Sequence, residues 1–163
     1  MSLAEHIKFS LELPTFIVNS YLEDLTDKDL LIRPTENMNH IAWQLGHLIC
    51  SEHFHITEVF PNSMPALPID FKERYTKETA VSEHPDDFHT KAEYLQLMQE
   101  QRQGTLTVLA NLSEQELMQP SPESVSYLGP TVGSVFAGES THWMMHAGQW
   151  AVVRRKSGKA PLF

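Results

Sequence analysis

A single cysteine, Cys50, in a chain of 163 residues rules out an intramolecular disulfide and fits a reducing compartment. Basic residues are also scarce: 12 Lys and Arg against 21 Asp and Glu leave a formal net charge of −9. Affinity for nucleic acid rests on cations that displace counterions from phosphates, so no nucleic-acid partner is expected. The one basic cluster, Arg154, Arg155, Lys156 and Lys159, falls where the last helix should end, and complementing the helix dipole is reason enough for it. No apolar run is long enough to span a bilayer, so no membrane partner is expected. The start, Met1-Ser2-Leu3-Ala4-Glu5-His6, lacks the basic and apolar regions of a secretory signal, and a cytoplasmic location is the default expectation. Phosphate-binding glycine loops, internal repeats, heptad arrays and low-complexity tracts are absent as well.

What is present is helical periodicity. The length suits one domain over residues 1–163, large enough to bury a core without structural metal, so that a bound metal would be functional. Leu3, Ile7, Leu11, Val18, Tyr21 and Leu25 form the apolar stripe of a first helix, with Pro14 expected to kink or split it. Thr26-Asp27-Lys28-Asp29 reads as the cap of a short turn. A second helix should start near Asn37 or Asn39 and run to about Phe60. Residues 61–89 hold Pro61, Pro65, Pro68 and Pro85 and read as a long connection with one short helical turn near Asp70 to Tyr75, lying over the domain as a lid. The alternative is a passive link between antiparallel helices. Thr90-Lys91-Ala92-Glu93 is a capping box that opens a third helix with a stripe of Tyr94, Leu95, Met98, Leu106, Leu109 and Leu112. Residues 119–133 form a second long connection, with Val125 to Tyr127 expected to be extended, and the last helix runs from Thr131 to Ser157. Four long helices without alternating strands predict an all-α four-helix bundle.

The chemistry concentrates on the last helix. At about 100° per residue, His142 and His146 project from one face a turn apart and can share one metal ion. Such a pair is also common at helix seams as hydrogen-bonded polar residues, and a third donor is needed to change that balance. His47, in Trp43-Gln44-Leu45-Gly46-His47-Leu48, is the natural one, near the middle of a largely buried helix. Three imidazoles from two helices leave a coordination position for water or substrate, as in catalytic zinc sites. Gln149, a turn past His146, either hydrogen-bonds a ligand or caps a buried carbonyl. Glu139, a turn before His142, is either a general base or a solvated residue near the helix start. Cys50 reads as a small buried hydrophobe, with a soft fourth ligand or a reactive thiol as the alternatives. His40 and Glu58 read as helix-end residues, with support of the metal ligands from behind as the alternative, and His53, His55, His84 and His89 read as surface residues.

Gly46-His47-Leu48 in the second helix, His142-x-x-x-His146-x-Gly148-Gln149 in the last, and the order of the helices resemble the DinB superfamily. Leu25-Thr26-Asp27-Lys28-Asp29-Leu30 followed by Arg33-Pro34 is similar to that family's first interhelix segment. The resemblance implies a four-helix bundle in which His47, His142 and His146 hold a divalent metal, zinc or nickel. A basic residue often found between the second histidine and the Gly-Gln pair is Ala147 here, so no role for that charge carries over. Some members use low-molecular-weight thiols as transferases or isomerases, which implies a thiol-dependent transferase acting on a small electrophile. A homodimer is also implied by the family. Two other readings stay open on the residues themselves: a non-catalytic small-ligand-binding or dimerising module, whose pocket Trp43, Trp143 and Trp150 would line, and a metal-dependent hydrolase with Glu139 as base.

Overall fold

Four long helices carry the fold in the computed structural model, which describes residues 1–163. They are α1 (Leu3–Leu22), α3 (Ile41–Val59), α4 (Lys91–Ala110) and α6 (Val132–Lys156), with one-turn helices α2 (Asp27–Leu30) and α5 (Glu114–Leu117) in the connections. Five of the six start with a reciprocal capping box, in which a Ser or Thr hydroxyl accepts from a backbone N–H three residues on and the side chain there accepts from the cap's own N–H. The exception is α3. Its cap is His40 rather than Asn37 or Asn39, because His40 Nδ1 accepts from Trp43 N–H at 3.1 Å while the Asn39 carbonyl is taken by Gln44.

Pro14 neither splits α1 nor leaves an orphan. The helix runs through it, and the Ser10 carbonyl, which loses its usual N–H donor to the proline, accepts the Ser140 hydroxyl of α6 at 2.6 Å. That bond, with Tyr21 against Arg154 further along, sets α1 and α6 parallel. His47 against His142 and Gln44 against His146 set α3 antiparallel to α6. Glu52 of α3 meets Arg102 and Thr105 of α4, and Ile56 joins Leu109, so α3 and α4 run parallel. The bundle is therefore up-down-down-up, with α1 flanked by α6 and α4, and α3 flanked by the same two.

This topology explains the long connection after α3. Two parallel helices in succession need a crossover that returns the chain along the bundle. Residues 60–90 do this, and they supply Phe71, Tyr75 and Phe88 to the core. The expected turn is a 3-10 helix at Lys72–Tyr75. The segment is thus a packed strap along α3, neither a lid nor a link between antiparallel helices. Gly46 lets it in, since a Cβ there would lie 2.1 Å from the Tyr75 ring.

The buried stripe of α4 departs from expectation. It comprises Tyr94, Leu97, Met98, Gln101, Arg102, Thr105 and Leu109, with Leu95, Leu106 and Leu112 only half-buried. Polar residues enter because Glu52 is buried at the centre, where it accepts from Thr105 Oγ1 at 2.7 Å and Trp143 Nε1 at 2.9 Å and pairs with Arg102 at 3.1 Å. Burial pushes the Glu52 carboxyl upward, and the Arg102 guanidinium opposes that shift. All three tryptophans are core residues and none lines the cavity beside the histidines, although Trp143 forms the floor of a separate cavity between α1 and α4. The basic residues at the end of α6 do more than complement a dipole: Arg154 donates to the Tyr21 carbonyl and Asp24, Lys156 to the Arg33 carbonyl, and Lys159 to the Asp24 carbonyl. No helix is long and apolar enough to cross a membrane.

Candidate metal centre

The antiparallel register of α3 and α6 turns two sequence stripes into a series of rungs. Gln44 faces His146, His47 faces His142, and His55 faces Glu139. At the middle rung the two Nε2 atoms are 3.3 Å apart, and one nitrogen from each of His47, His142 and His146 lies within 4.8 Å of the others. Three donors that close can share one ion.

The donor chemistry fits a divalent metal. Burial, reinforced by the neighbouring imidazoles, lowers the pKa of His142 to about 4 and of His146 to about 3, and burial likewise lowers that of His47. All three rings are neutral at pH 7 and offer lone pairs. For His146 the tautomer follows from its surroundings. Gln44 Oε1 accepts from the Trp150 indole N–H at 2.8 Å, and an indole only donates, so the atom that also faces His146 Nδ1 at 2.9 Å is an acceptor. Nδ1 must carry the proton, which leaves Nε2 free for a metal. Gln44 is fixed in turn, donating to the Asn39 carbonyl and, at 2.9 Å, to Gln149 Oε1. The structure thus places Gln149 behind Gln44, two side chains from the candidate metal position. Trp43 stacks on His47 with ring centroids 5.1 Å apart and planes 7° from parallel, which fixes that ring's orientation.

A cavity of about 490 Å³ opens beside His47 and His142, walled by Ser51, His55, Tyr127 and Leu128. The wall comes from the second long connection. Residues expected to be extended there form a 3-10 helix, Glu123–Leu128, anchored by the buried Val125 and by Ser124 donating to Glu58 of α3 at 2.6 Å. Two glycines seat it. Gly129 ends the turn at φ 140°, and Gly138 of α6 leaves room for Leu128, whose Cδ2 would lie 3.0 Å from a Cβ there.

At this wall the sequence reading missed His55 and left Glu139, behind it, open between a general base and a solvated residue. His55 is buried, 3% exposed, rather than a surface residue, and Glu139 is fully buried rather than solvated. His55 Nδ1 meets Glu139 Oε1, and His55 Nε2 lies 2.5 Å from the Tyr127 hydroxyl. A signal for His55 existed, because His47, Ser51 and His55 are four apart on α3 and share a face. Cys50 lies apart from the three-histidine group, half-buried against the main core, and burial pushes its thiol up to about 12. His40 caps α3 and faces the Ser82 carbonyl, His53 faces Gln101, and His89 faces Tyr75.

Bundle topology and a three-histidine cluster between α3 and α6 define a class of helical proteins with a candidate metal centre. The family model of the DinB superfamily matches residues 17–150, and the chain belongs to that superfamily. Among solved structures it is similar to one titled as the conserved protein of a locus from Enterococcus faecalis. That match has a TM-score of 0.72 and 15% identity, and covers 98% of this chain and 99% of that one. At this identity the likeness shows the shared fold. No curated protein sequence matches.

Proposed function

We propose that this protein is a metal-dependent enzyme in which His47, His142 and His146 hold a divalent ion, zinc or nickel, and in which a low-molecular-weight thiol is transferred to a small electrophile. The observation that carries the reading is the joint one of three neutral imidazoles within reach of one atom and a cavity that opens beside two of them. A structural zinc site closes its coordination with protein groups, whereas three protein ligands beside a cavity leave a place for a reactant. When bound there, the metal supplies a positive charge that favours the deprotonated form of a coordinated thiol. The chain's own contribution is orientation: Trp43 and Gln44 hold His47 and His146, and Tyr127, Leu128 and Met145 give the cavity a half-apolar wall against which a small electrophile can rest. The electrophile would lie under the Glu123–Leu128 turn, since residues 61–89 do not line the cavity. Low exposure of Cys50 and its raised pKa leave the chain without a thiolate of its own, so the nucleophilic sulfur comes from a small molecule.

The reading is tested on protein purified without an affinity tag or chelator. Elemental analysis should find about one zinc or nickel per chain, His146→Ala should retain far less, and thiol-dependent consumption of an electrophile should be lost with it. Wild-type protein that holds no metal after incubation with zinc, or turnover that survives His146→Ala, ends the proposal. We also propose a cytoplasmic homodimer. Support for the dimer is the exposed apolar set on neighbouring helices, Phe9, Leu13 and Phe16 of α1 with Met145 and Val152 of α6, together with Gly148, which has no neighbour within 4 Å.

A further inference from the structure

The buried Glu139–His55 pair is not needed to hold a metal, yet it ends on a hydroxyl at the cavity wall. Its directionality follows from what each group can do. A carboxylate only accepts, so His55 Nδ1 carries a proton toward Glu139. A ring whose one proton sits on Nδ1 has its lone pair at Nε2, and in that tautomer Nε2 accepts the Tyr127 O–H across 2.5 Å. With its only proton turned inward, Tyr127 Oη presents lone pairs to the cavity. Burial, and secondarily the Glu139 charge, raise the Tyr127 pKa, so the phenol keeps that proton at rest. The second oxygen of Glu139 is buried without a partner. A buried, incompletely satisfied carboxylate is costly as mere scaffolding, and a role in handling charge accounts for it.

We propose that Tyr127, backed by His55 and Glu139, is the proton acceptor for the thiol that enters the cavity beside His47 and His142. This rests on the thiol reading of the site. The S–H proton passes to Tyr127 Oη as the phenolic proton passes to His55 Nε2, and sulfur keeps the bonding pair as a thiolate. The imidazolium that forms is held by the Glu139 carboxylate. After the sulfur has attacked the electrophile, the proton returns along the same path to the leaving group or to solvent, which the largely exposed Tyr127 ring meets. The arrangement is that of a carboxylate orienting an imidazole behind a hydroxyl, with a phenol in the hydroxyl's place. Tyr127 is thus a catalytic residue, and His55 and Glu139 are positioning residues.

The test uses cobalt(II)-loaded protein and 2-mercaptoethanol, followed by stopped-flow at the sulfur-to-cobalt charge-transfer band. Wild type should develop the band with a solvent deuterium isotope effect on its rate. Tyr127→Phe should bind cobalt as wild type does but develop the band about a hundredfold more slowly and without the isotope effect, the size expected for loss of one proton-transfer group. Glu139→Gln, which keeps an acceptor for Nδ1–H but not the charge, should fall between the two. In metal-free protein, the far-downfield proton of the His55–Glu139 hydrogen bond should be visible by NMR and should move upfield in Glu139→Gln. A band in wild type with an unchanged rate in Tyr127→Phe overturns the relay and leaves the thiol reading standing. Absence of any band in cobalt-loaded wild type overturns the thiol reading and the relay with it.

Discussion

At the scale of single residues, the candidate centre depends on side chains that never touch the metal position. Gln44 is the clearest case, because one carbonyl oxygen accepts from both Trp150 and His146 and thereby decides which His146 nitrogen is free. Removing such a partner of a metal-binding histidine typically costs 10- to about 100-fold in affinity. Gln44→Leu should therefore weaken zinc binding by about that factor in a competition titration with a chromogenic chelator, although all three imidazoles remain. Equal affinity in the variant would mean that Gln44 is only packing. The three histidines were legible in the sequence because i, i+4 spacing on α6 and a buried position on α3 are local properties. Gln44 was not, because its importance arises only when the register of two distant helices sets it opposite His146. The same holds for His55, while Glu139, singled out by its place one turn before His142, could not be told from a solvated residue until its pairing with His55 was seen.

At the scale of elements, two glycines with similar sequence contexts have opposite surroundings. Gly46 sits in α3 where the crossover strap crosses it, and an added methyl would collide with the Tyr75 ring, itself fixed by bonds to Tyr94 and His89. Gly46→Ala should destabilise the fold by about 1–3 kcal/mol, the usual range for overpacking, read as a lower urea midpoint at unchanged slope. Gly148 sits mid-helix in α6 with nothing within 4 Å. In an isolated chain Gly148→Ala should stabilise by about 0.5–1 kcal/mol through helix propensity alone. In the proposed homodimer the same methyl would meet the second copy, so the prediction is a weaker dimer by sedimentation together with a more stable monomer. A variant that raises stability and leaves the association state unchanged places the dimer contact elsewhere. Both glycines stand in the motifs that resemble the DinB superfamily, but the sequence could not tell them apart, since a missing side chain carries no sign of what stands opposite it. Some helix starts were legible for a related reason in reverse, since the caps at Thr26 and Thr90 act within four residues, whereas the histidine cap of α3 was misread and α1 and α4 stop at Leu22 and Ala110, short of the Leu25 and Leu112 that their apolar stripes reached.

At the scale of the whole molecule, helix count followed from periodicity, but helix direction did not. Period and apolar stripe are the same whether a helix runs up or down, so the parallel pairing of α3 with α4, and with it the role of residues 60–90, became apparent only from contacts such as Glu52 with Thr105. The antiparallel pairing of α3 with α6 brings a cluster of neutral histidines together, and the cluster gives the metal-free protein a defined response to pH. In the unfolded chain His142 and His146 titrate near their ordinary value of 6.5, whereas in the fold burial holds them near 4 and 3, and His47 is lowered in the same sense. Between about pH 6.5 and 4 the unfolded chain therefore binds more protons than the folded one, so stability rises with pH and is lost as pH falls. Each such histidine contributes a slope of up to about 1.4 kcal/mol per pH unit inside that window. Urea unfolding of metal-free protein at pH 7 and pH 5 should show a marked loss at the lower pH, and a His142→Gln, His146→Gln double variant should show a shallower one, because His40, His53 and His89, also lowered by burial, remain. Zinc should steepen the wild-type dependence, since protons and metal compete for the same nitrogens. A double variant whose pH dependence matches wild type would show that these rings are protonated alike in the folded and unfolded states, and so are not the desolvated donors that a metal at this position requires.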